Sequence, residues 1–178
     1  MPNLDQIANS IDQLLKQQPN KVQLAEYRDV FGKIAAAVDQ LIGHKLFTLT
    51  VIHPTEAEVV RLYSSKEGDY ALEDRKPILD TPWTEQVIAK MQPFSASNID
   101  ELKPIFPDYQ KISDMGLGAA INLPVCWQGK CIGTMNLLNK EGLYQQPELK
   151  QILNCAQLVA PVFAAYRQLN CAEQASGA

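Results

Sequence analysis

The chain is short of cysteine and of long apolar runs, and each shortage excludes a class of protein. Its four cysteines, Cys126, Cys131, Cys155 and Cys171, form no C-x-x-C pair and are too unevenly spaced for a disulfide framework. We therefore expect reduced thiols and a cytoplasmic protein. The longest nearly uncharged stretch, 115–128, is interrupted by glycines and a proline, so we expect no membrane-spanning helix. The N-terminus contains an acid and no apolar core, so we also expect no secretion signal.

Clustered basic residues and metal-ligand motifs are missing as well. The chain has 16 Lys and Arg against 20 Asp and Glu, a formal net charge of −4, and no basic run marks a phosphate-binding surface. We therefore expect no nucleic-acid partner. His44 and His53 lie too far apart for a local metal motif, and no Ser/His/Asp grouping or phosphate-cradling glycine loop is present. The sequence predicts no catalytic residue, no metal and no cofactor.

What the chain does have suits one globular domain. Its 178 residues are 46% hydrophobic and 20% charged, which are ordinary values for a domain with a full core. We predict an N-terminal amphipathic helix extension over residues 1–20, a single domain over 21–170 and a disordered tail over 171–178.

The spacing of apolar residues predicts helices at both ends of this domain. Residues 4–17 and 22–42 each carry apolar side chains at helical intervals, and Gly43 ends the second helix. A closing helix over 147–170 carries a further apolar stripe, and Pro161 within it predicts a kink.

Two hairpins form the predicted sheet. Strands over 45–53 and 59–63 pair first, and the polar stretch 64–80 that follows is interpreted as a loop. The second hairpin lies within 118–142, where Gln128-Gly129 forms a two-residue turn.

An irregular cap is predicted between the two hairpins. In Thr81-Pro82-Trp83, the threonine can cap a helix and the proline fits its first turn. A short edge strand over 94–97 and helical turns over 98–115 follow. The prolines of this region disfavour a regular strand ladder, which suits the wall or lid of a pocket.

Strict alternation from the Gln128-Gly129 turn assigns the second hairpin to two faces. It pairs Cys126 with Cys131 at a Cα separation of roughly 4.5 Å, which would allow a disulfide. Both faces are largely apolar, so we expect long helices to cover one and a pocket cap to cover the other. The two predicted faces are Asn122, Pro124, Cys126, Cys131, Gly133, Met135 and Leu137, and opposite them Ile121, Leu123, Val125, Trp127, Ile132, Thr134, Asn136 and Leu138.

The second hairpin also carries a family resemblance. Its spacing, Pro124-x₄-Gly129-x₂-Ile132-Gly133-x₂-Asn136-Leu137, resembles the central hairpin of GAF domains, a family of ligand-sensing modules. With the order of the surrounding elements, the resemblance covers roughly residues 22–168. It implies an α+β fold with an antiparallel sheet of about five to six strands. The N- and C-terminal helices would lie on one face, often pairing across a homodimer, and a pocket-capping layer of loops and short helices on the other.

The resemblance further implies a small-molecule pocket under that cap. Aromatic residues concentrate in the irregular cap, where a plain helical core would favour Leu and Ile, and this favours a pocket there. The alternative, that each aromatic side chain only fills the core, stays open. The candidate ligand-binding residues, for an unidentified small molecule, are Tyr63, Trp83, Phe94, Phe106, Tyr109, Leu123, Asn136 and Leu138.

Two ligand classes of the family find little support in these residues. Members that bind cyclic nucleotides carry an Asn-Lys…Phe-x₃-Asp-Glu signature. Here Asn139-Lys140 is followed by Tyr144-x₃-Glu148, and Leu149 replaces the final acid. Photosensory members attach a bilin through a cysteine near a histidine region, and no corresponding Cys-His pair is present.

The resemblance implies a non-catalytic sensory or regulatory domain that binds a small molecule and signals through a helix-mediated homodimer or a separate partner. The first alternative is a thiol-dependent reductase of a small oxidised metabolite, similar to free methionine sulfoxide reductases, whose reactive cysteines lie in pocket-capping loops. Residues 64–118 contain no cysteine, which disfavours it. A pure interaction module with an empty pocket is the second alternative. Cys126 and Cys131 are a candidate redox pair, against the hypothesis that both are reduced thiols filling small positions.

Overall fold

An antiparallel sheet forms the centre of the chain, for which the computed structural model describes residues 3–17, 22–145 and 147–176. The predicted α+β fold with five to six antiparallel strands is confirmed. The strands are β1 (Leu46–Ile52), β2 (Glu58–Ser64), β3 (Arg75–Pro77), β4 (Phe94–Ala96), β5 (Ala119–Trp127) and β6 (Lys130–Asn139). They lie in the order β3-β2-β1-β6-β5-β4, and each neighbouring pair is antiparallel.

The edge strand β3 lies inside the stretch that the sequence predicts as a loop. It pairs with the start of β2, where Glu58 lies opposite Pro77 and Val60 opposite Arg75. The prediction of a loop throughout 64–80 is therefore wrong at this strand. This strand consists of two charged residues and a proline, a composition that predicts a loop. Edge strands are nevertheless typically short and charged and can contain proline, so the same composition also fits an edge strand.

The two faces of the sheet carry different layers. One is covered by the two N-terminal and the two C-terminal helices, which build the larger hydrophobic core, and the other by a cap of short helices with a smaller core. This two-sided arrangement confirms the prediction. The helices are α1 (Leu4–Gln17), α2 (Leu24–Ile42), a π-helix (Thr84–Ala89), α3 (Ile99–Leu102), α4 (Tyr109–Asp114), α5 (Lys150–Gln157) and α6 (Ala160–Ser176).

The helical core follows from the apolar stripes of its members. Phe31 and Ile34 of α2 and Phe163 of α6 are fully buried against the sheet. Burial of each such side chain contributes about 1.5–3 kcal/mol. Gly43 ends α2 with φ +77°, and its N–H donates to the Asp39 carbonyl at 2.9 Å, as a helix C-terminus requires.

The closing helical segment differs from the prediction in two ways. The chain forms two helices, α5 and α6, instead of one kinked helix, and Pro161 lies in the first turn of α6, where its missing N–H is harmless. The last helix continues to Ser176, inside the stretch 171–178 for which the sequence predicts a disordered tail. Alanine, glutamate and glutamine in this stretch favour helix, while residues 177 and 178 lie outside the described residues.

A β-bulge in the β5–β6 hairpin changes which side chains share a face. The turn at Gln128-Gly129 has positive φ at both residues, and the predicted pairing of Cys126 with Cys131 is confirmed. The next pair is Val125 with Gly133, which leaves Ile132 as the extra residue of β6. Beyond it, β5 is shifted by one residue relative to strict alternation. The predicted faces are therefore wrong there: Asn122 shares a face with Asn136, and Leu123 with Met135.

No helix in the described part of the chain combines the length and the apolar composition that spanning a bilayer requires. Within the same described residues, no three His, Cys, Asp or Glu side chains are grouped as metal ligands.

Candidate functional site

A cavity with two adjoining chambers lies between the sheet and the cap. The inner chamber, of about 130 Å³, rests on the sheet, and the outer chamber, of about 400 Å³, lies beside β3 and the segment after it. Since a cavity of roughly 150 Å³ holds a benzene-sized molecule, the inner chamber has room for a small organic group. Both chambers are lined by Val59, Lys76, Trp83, Phe106 and Asp108. The inner chamber is further lined by Leu46, Thr48, Thr50, Arg61, Tyr70, Asp74, Ile112, Ala120, Asn122, Thr134, Asn136 and Leu138.

The floor of the inner chamber is a row of hydrogen-bonded side chains on three neighbouring strands. Asn122 Nδ2 of β5 donates to Asn136 Oδ1 of β6 at 2.8 Å. Asn136 Nδ2 in turn donates to the hydroxyl oxygens of Thr48 and Thr50 of β1, both at 3.3 Å. The hydroxyls of Thr50 and Thr134 lie 2.6 Å apart. Because these groups bond to one another, the floor holds a defined polar surface inside an otherwise apolar layer.

Trp83 joins the floor to the cap. Its Nε1 donates to Asn122 Oδ1 at 2.9 Å. The local turn is fixed by two reciprocal bonds, in which Thr84 N donates to Thr81 Oγ1 at 3.3 Å and Thr81 N donates to Thr84 Oγ1 at 2.8 Å. The predicted cap at Thr81 is therefore confirmed. The turn continues as a π-helix, a form that is frequent at functional sites.

Four side chains form the partition between the two chambers: Lys76, Trp83, Phe106 and Asp108. Lys76 Nζ of β3 donates to Asp108 Oδ2 of the cap at 2.8 Å. The rings of Trp83 and Phe106 meet edge to face, with centroids 6.2 Å apart. An ion pair and a ring contact thus connect the sheet edge and the cap at the point where the chambers meet.

Arg61 is the most buried charged group of the inner chamber. Its side chain is 6% exposed, and its Nη1 donates to Ala71 O at 3.0 Å and to Asp74 Oδ2 at 2.9 Å. The guanidinium carbon lies 5.0 Å from the centroid of the Tyr70 ring, a cation–π distance. Its Nε is fully buried and has no hydrogen-bond partner among the described residues.

Burial and charge set the protonation of the neighbouring acids. Burial, followed by the charge of Asp108, raises the pKa of Tyr70, whose hydroxyl donates to Asp108 at 3.4 Å. Burial acts to raise the pKa of Asp108 as well, but the hydrogen bond and charge of Lys76 outweigh it and hold that pKa below its ordinary value. At neutral pH, Tyr70 is therefore a neutral phenol and Asp108 a carboxylate.

The structure brings four of the eight candidate ligand-binding residues together. Trp83, Phe106, Asn136 and Leu138 line the inner chamber. Phe94 packs behind them, with its ring centroid 6.3 Å from that of Phe106. Whether these residues bind a ligand stays a prediction.

The other three candidates lie away from the cavity. Tyr109 begins α4 and lines neither chamber. Leu123 is fully buried in the helical core, because the bulge at Ile132 shifts β5 by one residue. Tyr63 contacts the ring of Phe47 on the same helical face, at a centroid distance of 5.9 Å.

A second register shift explains Tyr63. Between β1 and β2 the pairing moves from Leu49 with Tyr63 to Thr50 with Arg61. Tyr63 consequently faces the helices and Arg61 faces the inner chamber. Tyr63 and Leu123 therefore both face the helical layer, and for Leu123 the cause is that the strict alternation from which its face was predicted fails at the bulge.

Sequence reasoning missed the charged lining, namely Arg61, Asp74, Lys76 and Asp108, and the ring of Tyr70. Arg61 alone left a clear signal, because a cation inside the apolar strand 58–64 needs a partner or a function. Asp74, Lys76 and Asp108 lie in stretches that look like solvated loops, and only the fold brings them to the cavity.

The cysteines lie apart from the cavity, as neither chamber is lined by any of them in the part of the chain that the structure describes. Burial raises the pKa of the Cys126 thiol, and it raises that of Cys131 to about 11. The Cys131 thiol donates to Gly133 O at 3.2 Å, and all four cysteines are free. Since the thiolate is the reactive form, these shifts make both hairpin thiols poor nucleophiles.

These features define a class: an α+β domain with a six-stranded antiparallel sheet, helices on one face and a cavity of small-molecule size under a cap on the other. The GAF domain family model matches residues 27–162. The chain belongs to the GAF domain family. A search of curated proteins finds no match for the sequence.

Solved structures share this fold at low sequence identity. A GAF domain/HD domain protein from Geobacter sulfurreducens is similar with a TM-score of 0.61 and 11% identity, covering 83% of this chain and 99% of its own. The phycoerythrobilin-bound GAF domain of a cyanobacterial phytochrome has a TM-score of 0.62 and 13% identity, with coverage of 96% and 98%. The type II free methionine-R-sulfoxide reductase of Thermoplasma acidophilum is similar with a TM-score of 0.59 and 13% identity, covering 82% of this chain and 97% of its own.

Proposed function

We propose that the chain is a non-catalytic, small-molecule-binding sensory or regulatory GAF domain whose ligand occupies the inner chamber. The observation that carries this proposal is the cavity itself, which combines apolar walls, a fixed polar floor and a buried guanidinium. Concave, mostly apolar sites with a few placed polar groups are typical of small-molecule binding.

The strand β6 provides a route from ligand to helices. Thr134 and Asn136 belong to the floor of the inner chamber, whereas the neighbouring Gly133 lies under Phe163 of α6 on the opposite face. A ligand that moves the floor would therefore shift the surface on which α6 packs. Such a ligand biases two helix packings only by its difference in affinity for them.

A homodimer through the terminal helices and a separate signalling partner are further parts of this proposal. Helices α1 and α6 pack together, so α1 already occupies part of the surface beside the last helix. The partner copy would therefore contact α1 or the remaining outer surface of α2 and α6. Sedimentation velocity of the purified chain, with and without added ligand, measures this association directly.

The reductase alternative draws no support from the site. Its chemistry needs a thiolate next to the bound substrate, and the hairpin thiols have raised pKa values and line neither chamber. Exchange of all four cysteines for serine should leave ligand affinity intact. Loss of methionine sulfoxide reduction in that variant, after its detection in the parent chain, would favour the alternative.

The function is tested on natively purified protein. Denaturation should release a small molecule that mass spectrometry detects in amounts comparable to the protein. A matched preparation of Leu138→Trp, which fills the inner chamber, should release much less while keeping its circular dichroism spectrum. Equal release from both proteins would contradict ligand binding in this chamber.

A further inference from the structure

Most polar groups around the inner chamber have partners within the protein. The floor amides and hydroxyls bond to one another, and Trp83 donates to Asn122. On the wall, Lys76 and Tyr70 both donate to Asp108. A ligand gains little binding free energy from polar groups whose hydrogen bonds to each other it must first break. The polar groups without a partner therefore indicate the chemistry of the ligand.

Arg61 is the exception. Both of its hydrogen bonds run from Nη1, and its buried Nε has no acceptor among the described residues. A buried cationic donor without an acceptor is unfavourable, and because Arg61 lines the inner chamber, an oxygen of a molecule bound there would lie against the guanidinium.

The weak pairing of Arg61 favours a negative charge on that oxygen. Asp74, the carboxylate paired with Arg61, has a side chain that is 48% exposed, so solvent weakens its hold on the guanidinium. Lys76 and Lys111 lie 5.8 Å and 4.3 Å from the centroid of the Tyr70 ring, on which Arg61 also packs. Lys76 is held by Asp108 and Lys111 bonds to the Asp69 carbonyl, so Arg61 is the cation around this ring that keeps a buried donor without an acceptor among the described residues.

We propose that the ligand is a small organic monocarboxylate whose carboxylate accepts a hydrogen bond from Arg61 and whose apolar part lies against Leu46, Leu138 and Phe106. This inference rests on the proposed function. Guanidinium and carboxylate match in geometry, and a charge-assisted bond is about twice as strong as a neutral one. A phosphate dianion fits less well, because the carboxylates of Asp74 and Asp108 line the same chamber.

The test uses matched acids and amides. Trp127→Phe removes an exposed tryptophan and leaves Trp83 as the remaining one, so its fluorescence reports on the chamber. The probes are isobutyrate with isobutyramide, benzoate with benzamide, and inorganic phosphate. At least one acid should bind about tenfold more tightly than its amide.

Two substitutions at the ion pair give opposite expected effects. Arg61→Gln should remove the preference for the acid, whereas Asp74→Asn, which removes the competing carboxylate, should increase acid affinity. Damage to the fold would weaken binding in both variants, so opposite signs separate recognition from misfolding. Weaker acid binding in both variants, when their circular dichroism spectra and urea unfolding midpoints match those of the parent chain, overturns the proposal.

The remaining outcomes also decide the question. Amides that bind as tightly as acids, phosphate that binds in preference to every acid, or a failure of all acids to bind would each overturn the carboxylate. Release of a neutral molecule from native protein would overturn it too, while leaving the proposed function in place. A chain that releases no small molecule contradicts the proposed function itself.

Discussion

Gly133 shows how one residue can set the distance between a helix and the sheet. A Cβ atom at this position would collide with the Phe163 ring and with the carbonyl oxygen of Thr50. A glycine inside an apolar strand is typical of a close backbone approach, and the fold identifies Phe163 of α6 as the neighbour. Gly133 is followed in the chain by Thr134 of the chamber floor, so the packing of α6 and the floor of the proposed ligand site lie on adjacent residues.

Gly133→Ala should therefore destabilise the chain. Because the Thr50 carbonyl belongs to the adjacent strand, the collision cannot be relieved by a side-chain rotation alone. We expect a loss of about 2–3 kcal/mol in the free energy of unfolding, measured by urea denaturation. Gly68→Ala is the control, since nothing lies within 4 Å of its added Cβ and its φ is not positive. Equal stability of the two variants would contradict the close contact.

The cysteines make a second prediction at the scale of single residues. Cys171 is exposed, Cys155 is fully buried, and burial raises the pKa values of Cys126, Cys131 and Cys155. A thiol reagent at pH 7.5 should modify Cys171 first and the other three much more slowly, with all four reacting in denaturant.

Peptide mapping after mild peroxide treatment gives the matching test of the redox pair. A disulfide between Cys126 and Cys131 formed before Cys171 reacts would reverse this order.

At the scale of elements, the hairpins show how far sequence reasoning reaches. Alternation and the Gln128-Gly129 turn predict the β5–β6 pair and its first contacts, because both are local properties. The extra residue Ile132 has no such signature, since an isoleucine fits a regular strand as well as a bulge. One undetected bulge moved Leu123 from the predicted pocket to the helical core. The order of elements is therefore predictable here, while the facing of side chains beyond a bulge depends on tertiary packing.

In the cavity too, local features could be predicted from the sequence and long-range contacts could not. The aromatic cap was predictable because Trp83 and Phe106 stand out in a proline-rich stretch. The charged wall was not, because Lys76 and Asp108 become neighbours only when β3 and the cap meet at the partition. Long-range pairs of this kind leave no mark on local composition.

Gln157 of α5 connects a helix to the open edge of a strand. Strand β4 pairs with β5 only from Ala120 to Asn122, so the edge of β5 beyond this point has no strand partner in the described sheet. There, Gln157 Nε2 donates to Pro124 O at 2.9 Å, and Cys126 N donates to Gln157 Oε1 at 3.0 Å. One side chain thus satisfies two backbone groups of an edge.

Gln157→Ala should lower the free energy of unfolding by about 1–2 kcal/mol, because it removes both bonds from partly exposed backbone groups. The measurement is again urea denaturation. Gln151→Ala, on the same helix and also exposed but without a hydrogen bond in the described structure, should change stability by less than about 0.5 kcal/mol. If the two variants unfold at the same urea concentration, the side chain of Gln157 does not stabilise the edge.

At the scale of the whole molecule, the sheet separates two tasks. Its helical face carries the larger core, with fully buried Phe31, Phe47 and Phe163, and its cap face leaves room for the cavity. A domain can keep polar, incompletely paired groups such as Arg61 on one face when the other face supplies most of the stability. This division also explains why Thr and Asn alternate with Leu and Phe along β1 and β6.

The helix α1 belongs to this stabilising layer, although the GAF family model begins after it. Ile7 and Ile11 are 3% and 2% exposed and lie in the same core as α2 and α6. Ile11→Ala should therefore lower the free energy of unfolding by about 2–4 kcal/mol, and Gln13→Ala, on the exposed side of the same helix, should leave it nearly unchanged. If α1 is only an extension without packing energy, both variants will unfold like the parent chain.

Removal of residues 1–20 extends this prediction from stability to assembly. The truncated chain would expose apolar surface of α2 and α6 that α1 covers in the parent chain, and an uncovered apolar patch favours association. Sedimentation velocity should therefore detect a larger self-associated fraction for the truncated chain at equal protein concentration. If the parent chain is a dimer and truncation makes it monomeric, α1 forms the interface instead of shielding it. A change that the ligand causes in the packing of α6 would then reach the second copy through contacts between the two α1 helices.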